Sequence, residues 1–230
     1  MIRNFKDTEP MTPKQAIALL IAMILLSAFF SVPHALAEME EEDFDAADVV
    51  ILDDPAFFLF DEDEYAIPVI SSVGKENVKI SGVKSKGVLV KYTIPERLLE
   101  ADPTFLSLMI EAEKYIGYPY VYGAANPNTG FDCSGFVCWV FNQSGVYKTK
   151  RLGANGLYSL CTDIPREEVR PGDLVFFEKT MGAGVKGITH VGIYVGNNMM
   201  IHAGDPIGFA DLKSEQWAKK IYAFGRLPID

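Results

Sequence analysis

The chain has 230 residues, 49% of them hydrophobic, and a formal net charge of −10. That much apolar material supports a packed domain and excludes global disorder. Three cysteines are too few for a disulfide framework, and with no basic stripe there is no nucleic-acid footprint and no nucleic-acid partner.

Residues 16–32 are an uncharged apolar run preceded by Lys14 and followed by Ala35-Leu36-Ala37, small residues at the spacing a signal peptidase prefers. At 17 residues the run is at the short limit for a membrane span. Residues 1–37 therefore read as a signal peptide, with a retained membrane anchor as the alternative. Either way, the remainder of the chain ends up outside the cytoplasm, released or tethered to the membrane. Residues 38–64 contain 13 acidic side chains and no basic ones and read as an acidic tether, broken by the apolar islands 49–52 and 57–60. From residue 65 onward, 18 Lys and Arg face 16 Asp and Glu, so the acidity belongs to the tether. Residues 65–101 form a short β-rich extension. Val78-Lys79-Ile80-Ser81 and Val88-Leu89-Val90-Lys91-Tyr92 read as strands, too few to fold without a surface to pack on.

Residues 102–230 carry the main domain. Asp102-Pro103 is a helix start, an N-cap carboxylate followed by proline at the first helical position. Phe105, Leu108, Met109 and Ala112 follow at helical spacing, and Gly117 closes the run. A second helix begins near Cys133, with Ser134–Phe141 as its apolar body. Segments 173–177, 189–195, 199–203 and 221–226 read as strands, the middle two joined by a Gly-Asn-Asn turn. Helices followed by an antiparallel sheet predict an α+β fold with the helices packed on the sheet.

The chemistry concentrates in Gly130-Phe131-Asp132-Cys133-Ser134-Gly135. A helix start offers unpaired N–H groups and partial positive charge, so a cysteine there is expected to ionise more easily than a free thiol. The thiolate is a nucleophile and needs a base. Of three histidines, His34 lies in the leader, leaving His190 and His202 on the predicted hairpin. Folding at the turn brings them to one end of adjacent strands, where one imidazole takes the thiol proton and the other orients it. The register stays open, and a slip of one residue separates the rings. Cys138 and Cys161 read as core residues, and Arg170-Pro171-Gly172-Asp173 as a structural turn. A zinc site from Cys133, Cys138, His190 and His202 lacks Cys-x-x-Cys spacing, so no metal or other cofactor is assigned.

Five motifs in order carry a family resemblance: Gly117-Tyr118-Pro119-Tyr120-Val121-Tyr122-Gly123, Asp132-Cys133-Ser134-Gly135-Phe136, Arg170-Pro171-Gly172-Asp173-Leu174-Val175-Phe176-Phe177, His190-Val191-Gly192-Ile193-Tyr194-Val195-Gly196 and Met200-Ile201-His202-Ala203. Together they resemble the NlpC-type, papain-like cell-wall cysteine peptidases over roughly residues 102–227. The resemblance implies hydrolysis of peptidoglycan stem peptides at the bond between D-γ-glutamyl and a diamino acid. It implies Cys133 as nucleophile, His190 as base and His202 as the residue orienting it. Tyr120 would line the site, and Asp132 and Ser134 would help hold the substrate amine. Ala124, where the family often has a second glycine, and the loop 181–187 depart from the pattern and bear on substrate fit. A papain-like amidase, a bridge-cutting peptidase and a non-catalytic wall-binding component are the competing readings.

Overall fold

A computed structural model of the chain describes residues 67–182 and 184–229. The leader and tether expected at 1–64 lie outside them. The described helices are α1 (Glu96–Glu100), α2 (Pro103–Glu113), α3 (Cys133–Gln143), α4 (Ala154–Tyr158) and α5 (Glu215–Ala218). The strands are β1 (Lys79–Ile80), β2 (Val83–Lys84), β3 (Ala125–Asn126), β4 (Gly130–Phe131), β5 (Thr162–Ile164), β6 (Leu174–Glu178), β7 (Ile188–Gly196), β8 (Met199–His202), β9 (Gly208–Asp211) and β10 (Ile221–Arg226).

β5 to β10 form one antiparallel sheet in the order β5-β10-β6-β7-β8-β9. Side chains alternate across a strand, so the sheet feeds two cores. Leu174, Phe176, Val191, Ile193 and Ile201 pack with Phe105, Phe136, Val137 and Leu157 of α2, α3 and α4. Val175, Phe177 and Met200 pack on the opposite face with Leu212 and Trp217. The β7–β8 turn closes with Asn197 and Asn198 at φ 53° and 58°, the paired positive values that match a hairpin's right-handed twist.

Asp102 caps α2 as the sequence indicates, its carboxylate accepting from the Thr104 and Phe105 N–H groups. Asp173 anchors the sheet from its turn. It is 3% exposed, and Arg226 donates to both carboxylate oxygens at 2.7 and 2.8 Å while the Arg170 N–H donates at 2.8 Å. The helices and sheet match the expected α+β arrangement.

The extension departs from expectation. Among the described residues β1 and β2 pair as a two-residue ladder, Ser71 and Thr93 form a single antiparallel bridge, and Val88–Tyr92 form no strand. Ser72 replaces a ladder there: its hydroxyl donates to the Val90 carbonyl and accepts from the Tyr92 N–H. The segment 67–94 runs as a strap against the main domain. The Val78 N–H donates to the Gly117 carbonyl at 2.8 Å, Tyr92 meets Phe209 edge-on at 5.0 Å, and Ile70 and Ile94 enter the helix-side core. At Gly87 the strap touches the loop after β8, its N–H donating to the Asp205 carbonyl; a Cβ there would lie 2.3 Å from that oxygen.

Candidate active site

Asp132 ends β4's approach with extended backbone and caps α3 through a 2.7 Å bond from the Gly135 N–H. Its main-chain carbonyl accepts from Phe136, so a helix begins at Cys133 rather than at Ser134. Gly135 has no side chain to collide with the loop before it, where a Cβ would lie 2.3 Å from the Ala124 carbonyl oxygen. The departure at Ala124 therefore sits against the nucleophile's own helix.

The Cys133 thiol is 6% exposed. The N–H groups of Val191 and Ser134 point at the sulfur and favour the thiolate, but burial and the neighbouring Asp132 charge push the thiol above its ordinary value. The expectation of a helix-acidified thiol is thus corrected. The dipole is present, yet desolvation of the charged form outweighs it. The Val191 contact brings the sulfur to β7 one residue from His190.

Continuing the β7–β8 register past Ile193 opposite Ile201 sets Gly192 across from His202. The histidines are therefore diagonal neighbours on one face, not directly opposed. Gly192 makes the diagonal short: a Cβ there would lie 3.1 Å from the His202 Cβ and 2.8 Å from the Met200 sulfur. His190 Nε2 and His202 Nδ1 come within 2.8 Å. Both rings are buried and held neutral, His190 well below the usual imidazole range through burial and then its neighbour, His202 at about 4 through burial. If His190 Nε2–H donates to His202, Nδ1 of His190 keeps its lone pair for a thiol proton.

Trp217 and Arg151 escaped the sequence reading. Trp217, on the single turn of α5, stacks on His190 with centroids 5.2 Å apart and meets His202 edge-on at 4.9 Å. Arg151, in the loop after α3, donates to Asp132 and to the Ser134 hydroxyl. Nothing in the local sequence marks either; both arrive through tertiary folding.

A cleft of about 620 Å³ is lined by His190, His202, Trp217 and Tyr120, with Val88 of the strap and Tyr122 at its rim. Among the described residues its lining includes Asp205 and Asp211 and no Lys or Arg, which suits a ligand with a positive group. Cys133 does not line the cleft; it lies beside Tyr120, whose phenol is pushed up by burial and then by Cys133 and Asp132. Asp132 and Ser134 are buried and turned toward Arg151 and the helix start.

A cysteine at a helix start, packed against an antiparallel sheet that carries a histidine pair, defines a papain-like mixed fold. Residues 117–226 match the NlpC/P60 family, and through this segment the chain belongs to that family. It is 45% identical over 122 residues to the bifunctional muramidase/DL-endopeptidase CwlT of Bacillus subtilis, covering 53% of this chain and 36% of that protein. It is 32% identical over 163 residues to the gamma-DL-glutamyl hydrolase of Bacillus subtilis, covering 69% of this chain and 38% of the other. A match that broad takes in part of the strap. A crystal structure of a protein similar to lipoprotein, of the NLP/P60 family, from Staphylococcus aureus superposes with a TM-score of 0.53 at 43% identity, over 56% of this chain and 43% of that one. The chain spans less than half the length of each of these relatives.

Proposed function

We propose that this chain is a peptidoglycan hydrolase, a cysteine endopeptidase that cuts stem peptides at the D-γ-glutamyl–diamino acid bond. The observation that carries the reading is the 2.8 Å contact of His190 Nε2 with His202 Nδ1, with the Cys133 thiol against the next residue's N–H. The names of the relatives, a DL-endopeptidase and a gamma-DL-glutamyl hydrolase, support the bond assigned. The cleft, with Asp205 and Asp211 and no Lys or Arg among its described lining residues, supports a substrate with an ammonium group.

In the resting enzyme the thiol and both imidazoles are neutral. As the sulfur attacks the amide carbon, its proton passes to Nδ1 of His190, and the imidazolium is held through Nε2–H by His202. Backbone N–H groups at the start of α3 hold the oxyanion, each contributing about 3–4 kcal/mol to lowering the barrier. Collapse expels the diamino acid's amine, which leaves with the proton from His190. Water, deprotonated by His190, then cleaves the thioester, releasing the γ-carboxyl of D-Glu and restoring the thiol. Tyr120 lines the site, while Asp132 and Ser134, bonded to each other, to the helix start and to Arg151, support the turn that presents Cys133. The substrate is extracytoplasmic, so the catalytic region works outside the cell membrane, delivered by residues 16–32 as a leader or an anchor.

Digestion of defined muropeptides, with new termini identified by mass spectrometry, tests this. Products ending in D-Glu are expected from the wild type and none from Cys133→Ala. Cleavage between sugar and peptide, or at the cross-bridge, would replace the bond assignment. A folded, reduced wild type that cuts nothing would replace hydrolysis with wall binding.

A further inference from the structure

We propose that Arg151 is a positioning residue for Cys133: its guanidinium, laid across Asp132 and Ser134, offsets the carboxylate beside the nucleophile and fixes that carboxylate where it joins the Tyr120–Gly123 loop to the helix start. The proposal rests on reading Cys133 as the attacking sulfur.

Asp132 does three jobs with one buried side chain. Oδ1 accepts from the Gly135 N–H at 2.7 Å and the Ser134 hydroxyl at 3.1 Å, fixing the first turn of α3. Oδ2 accepts from the Gly123 N–H at 3.0 Å, holding the loop that carries Tyr120. The same oxygen takes the Arg151 guanidinium. An uncharged cap could satisfy the helix alone. A carboxylate binds three segments at once, but places a negative charge one residue from a sulfur that must become negative.

Arg151 answers that charge. It is the ion-pair partner of Asp132, and its other terminal nitrogen donates to the Ser134 hydroxyl at 2.9 Å and to the Leu152 carbonyl. These bonds fix the guanidinium as a planar fork rather than a mobile charge. The groups facing Cys133 are Asp132 beside it, Arg151 from the loop after α3, Tyr120 from the preceding loop and the neutral His190 region of β7. Of these, Asp132 and Arg151 alone carry charge at neutral pH. Burial raises the thiol most and Asp132 raises it further, while Arg151 acts in the opposite direction.

The test is the pH dependence of alkylation of Cys133 by iodoacetamide in the full chain, read on the Cys133 peptide by mass spectrometry. Arg151→Gln is expected to move the midpoint upward by about one pH unit, and the acid limb of kcat/KM on muropeptides with it. Arg151→Lys keeps the charge and is expected to stay close to wild type. In Asp132→Asn/Arg151→Gln both charges are gone, and the midpoint is expected to return toward wild type. An unchanged midpoint in Arg151→Gln, or a double variant shifted as far as the single one, overturns the proposal, because a merely structural arginine would alter stability without moving the titration. Should Arg151→Gln fail to fold alone, Asp132→Asn and Asp132→Asn/Arg151→Gln decide: a double variant whose midpoint lies above that of Asp132→Asn supports the proposal, and equal midpoints overturn it. Alkylation needs no substrate, so a protein that shows the shift but cuts no muropeptide refutes the endopeptidase reading and not this one.

Discussion

The Trp217 indole lies over the His190 imidazole at an interplanar angle of 29°, and Phe177 packs against the same indole with centroids 4.9 Å apart. The indole therefore covers the bond between His190 and His202 and keeps water from competing for it. Trp217→Phe is expected to lower kcat/KM by about tenfold, equivalent to about 1.4 kcal/mol of barrier. The depressed imidazole titrations should also move up toward the ordinary value as water gains access, which NMR titration of the two rings would read. Full activity with unmoved titrations would mean that the indole is only core.

The two buried imidazoles make the fold acid-sensitive. Their folded-state values lie below the unfolded value of about 6.5, so below that pH the unfolded chain binds protons the native state refuses. Stability is then complete above about pH 6.5 and falls as pH drops, His202 ceasing to contribute near 4. Between pH 7 and 5 the His202 ring accounts for a loss of about 2 kcal/mol, and His190 adds a loss of the same sign. Urea unfolding at the two pH values measures it, and His202→Asn should make the slope shallower by the His202 share. A flat profile would contradict the burial of the pair.

Gly192 is the residue that permits the diagonal pairing of the histidines. Gly192→Ala puts a methyl 3.1 Å from the His202 Cβ and 3.2 Å from the Ile201 carbonyl oxygen. The strand must give, at a cost of about 1–3 kcal/mol in stability, and His202 moves away from His190. Muropeptide hydrolysis should fall by tenfold or more, since one barrier unit of about 1.4 kcal/mol is a factor of ten. An active Gly192→Ala variant of normal melting temperature would show that the contact has slack.

Asp173 holds Arg226 and the Arg170 N–H at the start of β6, the end away from Phe177, which pairs with His190. Asp173→Ala leaves a partly exposed guanidinium and a backbone donor without their acceptor. The expected loss is about 2–4 kcal/mol, visible in thermal unfolding, with kcat per folded molecule unchanged. A drop in kcat at full folding would give this turn a catalytic part.

Local signals in the chain name the helix start at Asp102-Pro103, the β7–β8 hairpin at its Gly-Asn-Asn turn and the helix that begins beside Cys133, because capping, turn chemistry and apolar period act within a few residues. The same rules falter where side chains from afar decide. Val88–Tyr92 has strand composition, yet Ser72 takes up its hydrogen bonds. The elements β5, β9, α4 and α5 are too short for a period to register.

The order of residues by itself determined which groups are available for chemistry: one cysteine after a capping carboxylate, two histidines twelve residues apart around a turn, and a tyrosine-rich approach. Tertiary structure alone decided their state. A helix start would acidify an exposed thiol, but the burial of Cys133 and its Asp132 neighbour reverse the sign. Only the folded register sets the histidines diagonally past Gly192, under Trp217, with Arg151 at Asp132. Proximity along a chain fixes which groups are neighbours in sequence; the solvent each one loses, and the charge each one meets, are properties of the packed whole.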